Sequence, residues 1–321
     1  MKKIISLVLC FVFFLIPLAS CGENNEAPEK AKIRIAGMKG PTSIGFVGVM
    51  ENNENEYEFS LEGTADAIVP KLIKGELDMA AVPANLASTL YNNTEGEIQI
   101  LAVNTLGVLY ILSKGEITSV SDLKGKTILA TGKGTTPEYT LRYILSENGI
   151  DPDKDVTLDF KSEATEVVSA LAQSEGGVAM LPQPYVTIAL NKLKDFKVSI
   201  DLNEEWKKLN PDGGIVTGVL VVRKSFADEN EEAVKSFLSQ YKSSVESVNS
   251  DVSNTAKLVV KHGIFDNEKV IEAAIPNCNI TFISGEDMIN PVNKYLGVLY
   301  EQNEKSVGGK MPKEDFFRIV K

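Results

Sequence analysis

Histidine is nearly missing from this chain, with one residue, His262, in 321. A single imidazole excludes the His-rich zinc centres that need several nitrogen or sulfur ligands. It also leaves nothing from which to assemble a Ser-His-Asp arrangement for nucleophilic catalysis. His262 closes an expected helix and is followed by Gly263, a place where a cation interacts favourably with the last carbonyls. Basic residues are in deficit as well, 33 Lys and Arg against 44 Asp and Glu. A net charge of -11 argues against nucleic acid as a partner, because phosphate binding rests on clustered cations. Gly132-Lys133-Gly134-Thr135-Thr136 is rich in glycine but lacks the Gly-Lys-Ser/Thr ending of a nucleotide phosphate loop. No cofactor and no metal is expected, and neither is an enzyme.

Cysteine is scarce too: Cys10, Cys21 and Cys278 are the only three. No hydrophobic run reaches the ~20 residues that a membrane-crossing helix needs. The apolar stretch Ile4–Leu18 covers about 15 residues behind the basic pair Lys2-Lys3, the dimensions of a secretory signal peptide. Its end, Leu18-Ala19-Ser20-Cys21, resembles the lipobox of bacterial lipoproteins: an aliphatic residue, two small ones, then a thiol nucleophile. That resemblance implies a signal peptide over 1–20, diacylglycerol and palmitate on Cys21, and a cell-membrane location on the extracytoplasmic face. Loss of Lys2 and Lys3 would make the mature chain more acidic still. Cys278 would then be the one free thiol, so no disulfide can form within the mature chain despite an oxidising location. Residues 21–31 are polar, lack a core pattern and read as a lipidated tether.

From Lys32 onward, strand and helix patterns alternate. Strands are expected near 32–37, 58–63, 77–83, 98–103, 108–112, 127–130, 156–160, 178–181, 198–202 and 216–222, with helices between most of them. After 222 the pattern is mostly helical, near 230–250, 254–261, 267–274 and 287–301. This alternation indicates an α/β fold with open, mainly parallel sheets flanked by helices. Two such units in series, with a late return strand, indicate two lobes around a cleft. Ligands in such sheets bind beyond the carboxyl ends of the strands.

Four segments then carry a resemblance. They are Leu72-Ile73-Lys74-Gly75-Glu76-Leu77-Asp78-Met79-Ala80, Ser121-Asp122-Leu123-Lys124-Gly125-Lys126, Val221-Val222-Arg223-Lys224-Ser225-Phe226 with the helix Glu231–Tyr241, and Gly308-Gly309-Lys310-Met311-Pro312. In this order they resemble the type II solute-binding proteins of ABC importers, in the nitrate/sulfonate/taurine and thiamine-precursor branch. The resemblance implies the periplasmic-binding-protein type II fold, with lobe I from 32–115 and 216–321 and lobe II from 116–215. It implies hinge closure on a small-molecule ligand and delivery to an ABC permease, by a chain expected to be a monomer. Two other readings stand beside it: an enzyme on the same fold, as in the menaquinone pathway, and a ligand-sensing lipoprotein. The signal peptide and the lone histidine disfavour the first.

Candidate ligand contacts are the polar residues where strands give way to helices. In lobe I these are Met38, Lys39, Thr42 and Ser43 after the first strand, Asn85 after the third, Thr105 near the crossover and Thr217 on the return strand. In lobe II they are Thr135 and Thr136 in the glycine loop, then Gln183 and Tyr185 after a buried strand. For Thr42, Ser43, Thr135, Thr136 and Asn85, helix capping is the equal alternative. Pro137 fits a first helical turn after Thr136 as N-cap, and free N–H groups there would suit an anion. Trp206 reads as lobe packing rather than a stacking platform. The set favours a small polar or anionic solute, an oxyanion or sulfonate, with a heteroaromatic vitamin precursor or flavin as the alternative.

Overall fold

The computed structural model describes residues 32–174, 176–211 and 214–320. The expected signal peptide, the lipidation of Cys21 and the tether lie outside the described residues. Eleven strands occur among the described residues: β1 (Ile33–Met38), β2 (Tyr57–Glu62), β3 (Met79–Pro83), β4 (Ile98–Leu106), β5 (Leu109–Ser113), β6 (Thr127–Thr131), β7 (Thr157–Lys161), β8 (Val178–Pro182), β9 (Lys197–Asp201), β10 (Val216–Arg223) and β11 (Ile280–Ser284). They form two sheets, ordered β11-β4-β10-β3-β1-β2 and β7-β6-β8-β5-β9. Most strands in each sheet run the same way. The reversed ones are β10 and β11 in the first sheet and β5 in the second.

Burial explains why the central strands read as continuous apolar runs. Every residue of β3 is buried, as is all of β4 except Leu106, because helices cover both faces of the sheet. The edge strand β11 has no strand signal in the sequence. Its Ile-Thr-Phe-Ile-Ser is buried only at Ile280 and sits among helical segments, so neither length nor alternation marks it.

The expected boundary of lobe I at 115 moves. β5 pairs with β8 and β9, so it belongs to the second sheet, and the chain crosses between lobes at Gly107-Val108. It crosses back after the helix Leu202–Leu209, on the way into β10. Gly107 is fixed by close approach. Its carbonyl accepts from Asn203 Nδ2 at 2.7 Å and Asn279 Nδ2 at 2.5 Å, and a Cβ there would lie 1.7 Å from Asn203 Oδ1.

The segment Leu72–Ala80 turns out to be scaffold. Leu72 is fully buried, and Gly75 leaves its helix at φ 73°, a left-handed conformation that favours glycine. Asp78 then joins three strands. Its carboxylate accepts from Arg34 N at 2.9 Å, Arg34 Nε at 3.0 Å and an Arg34 terminal guanidinium nitrogen at 2.6 Å. Its backbone donates to Arg34 O and accepts from Arg223 N.

Helix Ile289–Gln302, from the chain's last quarter, packs against helix Ala84–Asn93 of the first lobe and helix Thr136–Glu147 of the second. Thr140 Oγ1 and Tyr295 OH lie 2.8 Å apart in that contact. Trp206 is buried there, its ring 4.8 Å from Tyr143 and 5.1 Å from Tyr295, which makes it packing, as its surroundings in sequence indicate.

Candidate functional site

The carboxyl ends of β1, β2 and β3 face those of β6, β7 and β8 across a cleft of about 1090 Å³. Each strand end supplies a short stretch of wall. From the first lobe come Met38–Thr42, Thr64–Asp66, Pro83 and, on β10, Thr217. From the second come Thr131–Lys133, Thr135–Pro137, Lys161–Thr165 and Pro182 with Tyr185. The loop Gly263–Asn267 closes one side, and Ile264, Phe265 and Ile271 give it an apolar patch.

Charge in the cleft is mixed. Lys39 and Lys133 line it from opposite lobes and form no ion pair among the described residues, whereas Lys161 is held by Asp159 at 2.9 Å. Asp66, Glu163 and Asp266 supply carboxylates around the same space. Tyr185 meets Phe265 edge-on across the lobes, with ring centroids 5.6 Å apart. Burial pushes its phenol up to about 12, and the nearby Glu163 and Asp266 carboxylates add to that. In the floor, the hydroxyl oxygens of Thr42 and Thr217 are buried without a hydrogen-bond partner among the described residues. Buried polar groups without a partner are uncommon in folded proteins.

The glycine loop is less open to anions than its sequence implies. Glu138, on the first turn of its own helix, accepts from Gly134 N at 2.6 Å and from Arg142 Nε at 2.8 Å. That carboxylate already occupies the helix N-terminus and balances its partial positive charge. The helix begins at Thr136 with Thr135 as N-cap, one residue earlier than expected. Thr135 Oγ1 donates back to Gly132 O and makes no cap bond to the helix.

Residues 98–251 match a family model described as NMT1/THI5 like. YtlA, a candidate binding protein of Bacillus subtilis (strain 168), is 21% identical over 241 residues, covering 70% of this chain and 68% of that protein. Among solved structures, an ABC transporter protein from Parabacteroides distasonis aligns over 91% of this chain and 100% of its own, with TM-score 0.75 and 24% identity. The periplasmic aliphatic sulphonate binding protein SsuA from Escherichia coli aligns over 89% and 93%, with TM-score 0.70 and 17% identity. The fold is that of the type II solute-binding proteins.

Within this solute-binding fold, Met38, Lys39, Thr42, Thr135, Thr136, Tyr185 and Thr217 come together on the cleft. Four other candidates do not line it. Ser43 is fully buried and donates to Met38 O at 2.6 Å. Thr105 is buried between β4 and its neighbours. Gln183 Oε1 is taken by Thr187 Oγ1 at 2.9 Å. Asn85 neither caps its helix nor faces the cleft; its amide is used between the lobes. For Ser43, Gln183 and Asn85 the fold's own donors and acceptors consume a group that sequence leaves free, whereas Thr105 is simply enclosed between strands. Thr64–Asp66 and Lys161–Thr165 are cleft segments beyond the expected set, and they follow β2 and β7 just as the expected loops follow β1 and β6. Phe265 carries no local signal at all.

His262 stands apart from the cleft chemistry. It is the C-cap of helix Val252–Lys261, and its Nε2 lies 3.0 Å from Glu51 Oε2. The bond from Lys261 holds the Glu51 carboxyl below its usual range, and His262 adds a smaller effect.

Proposed function

We propose that this chain is the solute-binding component of an ABC importer, capturing a small organic solute with a polar or anionic group and presenting it to a permease. One observation carries the reading: the cleft draws its wall from the strand ends of both lobes, so a ligand that touches both walls favours the closed arrangement. The lone histidine is engaged with Glu51 and supplies no imidazole base to the cleft. Volume bears on the ligand. At about 1090 Å³ the space lies just above the usual range for organic-ligand pockets and far exceeds a bare oxyanion.

Lys39 and Lys133 suit an anionic group. Met38, Tyr185, Phe265 and Ile271 suit an apolar or aromatic body. The sulphonate named for the E. coli neighbour is one such anionic head, and a heteroaromatic precursor is one such body. In the same reading Cys21 carries the lipid that keeps the receptor beside its permease on the extracytoplasmic face. Thermal-shift screening against alkanesulfonates, pyrimidines, flavins and simple oxyanions tests it. A true ligand at a hundred times its Kd stabilises the protein by about 2.7 kcal/mol. Substitution of Thr42, Thr217 and Tyr185 together should remove that shift, and an unchanged shift in the triple variant would place the ligand elsewhere.

A further inference from the structure

Asn85 opens helix Ala84–Asn93 directly after β3 and is 2% exposed. Its side chain reaches three groups in two parts of the fold. Nδ2 points to Gly134 O at 3.3 Å and to Ser306 O at 3.1 Å, and Oδ1 accepts from Thr136 Oγ1 at 3.3 Å. Gly134 and Thr136 belong to the glycine loop of the second lobe, which lines the cleft. Ser306 belongs to the C-terminal tail, which lies on the same helix of the first lobe. That tail is fastened independently, by Ser88 Oγ donating to Val307 O at 2.8 Å and by Asn92 Nδ2 donating to Val307 O at 2.8 Å and to Lys310 O at 2.7 Å.

We propose that Asn85 is a positioning residue that ties the cleft loop Gly132–Thr136 of one lobe to the C-terminal strap of the other, setting the spacing of the two cleft walls. It lies behind the wall and touches no space a ligand would fill. Thr136 is fully buried, so parting the lobes strands a hydroxyl and an amide together unless water enters. The two bonds that cross to the second lobe are long and weak, while that to Ser306 O is of ordinary length, so the side chain fixes register between the lobes more than it supplies net energy. Thr140 and Tyr295 repeat the arrangement one turn further along the same second-lobe helix. This role rests on the reading of the cleft as a two-lobed capture site, but its test needs no ligand.

Amide exchange and Trp206 emission are measured on the ligand-free protein for Asn85→Ala, Thr136→Val and Ser88→Ala. Asn85→Ala should speed exchange about fivefold at Gly134, Thr135 and Tyr139, and also at Gly308 and Gly309, since one lost hydrogen bond lowers local stability by about that factor. Thr136→Val should speed only the loop amides, and Ser88→Ala only the tail amides. Trp206, seated against Tyr295 across the lobes, should shift to the red in Asn85→Ala and stay put in Ser88→Ala. Asn85→Leu, which keeps the volume and loses both donor and acceptor without burying a charge, should repeat the Asn85→Ala pattern if the alanine variant folds poorly. Wild-type exchange at the loop amides in both Asn85 variants overturns the proposal. So does equal loosening of the loop by Ser88→Ala, which would make tail docking the cause. A failed ligand screen bears on the function and leaves these outcomes as they are.

Discussion

Replacing Asp78 with alanine should unfold this protein more easily without touching the cleft. The carboxylate is almost wholly buried and takes three hydrogen bonds from Arg34, two of them from the guanidinium, while Arg223 stands 3.8 Å away. Bonds to a charged group contribute roughly 1.5–3 kcal/mol, and breaking a buried pair costs about 3–5 kcal/mol when the partner is left stranded. Here the Arg34 side chain keeps 39% of its surface in water, so its charge is not stranded and the Coulombic part is discounted. A loss of about 2–3 kcal/mol remains. For a chain above 250 residues each kcal/mol moves the midpoint by about 2 °C, so Tm should fall by about 4–6 °C. Urea denaturation followed by circular dichroism measures the loss, and the m-value should not change if only the folded state is weakened. Asp78→Asn keeps the shape but turns an N–H toward a donor, so it should lose at least half as much. A loss below about 0.5 kcal/mol for the alanine variant is the ordinary effect of a surface change and would refute the argument. A stable variant that no longer responds to a confirmed ligand would move Asp78 from scaffold to site.

Three shorter expectations follow from the same geometry and a fourth from the sequence around Cys21. Glu138→Gln removes the negative charge seated at the N-terminus of helix Thr136–Glu147, so sulfate titrated against Trp206 emission should bind about two- to fivefold more tightly; no gain would mean that Glu138 does not screen the loop. Burial pushes the Cys278 thiol up to about 12, so a thiol reagent at pH 8 should label it only after denaturant is added, and rapid labelling of the native chain would contradict its placement. Tyr57, Tyr91, Tyr110 and Tyr185 are each raised to about 12 by burial, so their share of stability is complete below about pH 10 and drains away as pH rises through 12. Tyrosinate absorbance should therefore climb together with unfolding, and full ionisation near pH 10 in a folded chain would be the wrong outcome. Cys21→Ser should abolish labelling of the chain by radioactive palmitate in cells, and undiminished labelling of the serine variant would refute lipidation at Cys21.

Much of the fold was legible because its signals are local. Ten strands announce themselves by short apolar runs between turn residues, and those buried on both faces, such as β3 and β4, are the plainest. The sheet to which β5 belongs is not a local property: Leu109–Ser113 reads the same whether it pairs with β4 or with β8. β11 failed for the opposite reason, being short, half-exposed and set between helices. At the site, the loops after β1 and β6 followed from topology alone. Which polar side chains in them stay free did not, because that depends on partners distant in sequence: Ser306 for Asn85, Met38 O for Ser43, Thr187 for Gln183. Glu138 is the sharpest case, since one carboxylate four residues beyond Gly134 removes the N–H that made the loop attractive to anions.

The interleaving of the two sheets also sets an order of assembly. Every strand of the second sheet lies between Leu109 and Asp201, so that lobe can form as soon as its stretch of chain is available. The first sheet must wait. β10 is the strand between β3 and β4, and until Val216–Arg223 arrives the pairs β1–β2 and β1–β3 have no link to β4. A chain emerging from its amino end therefore carries the buried strand β4 uncovered while a complete second lobe folds beyond it. Apolar strands waiting for a late partner are slow to pair and open to aggregation, so the chain's net negative charge favours solubility during that delay as well as after it.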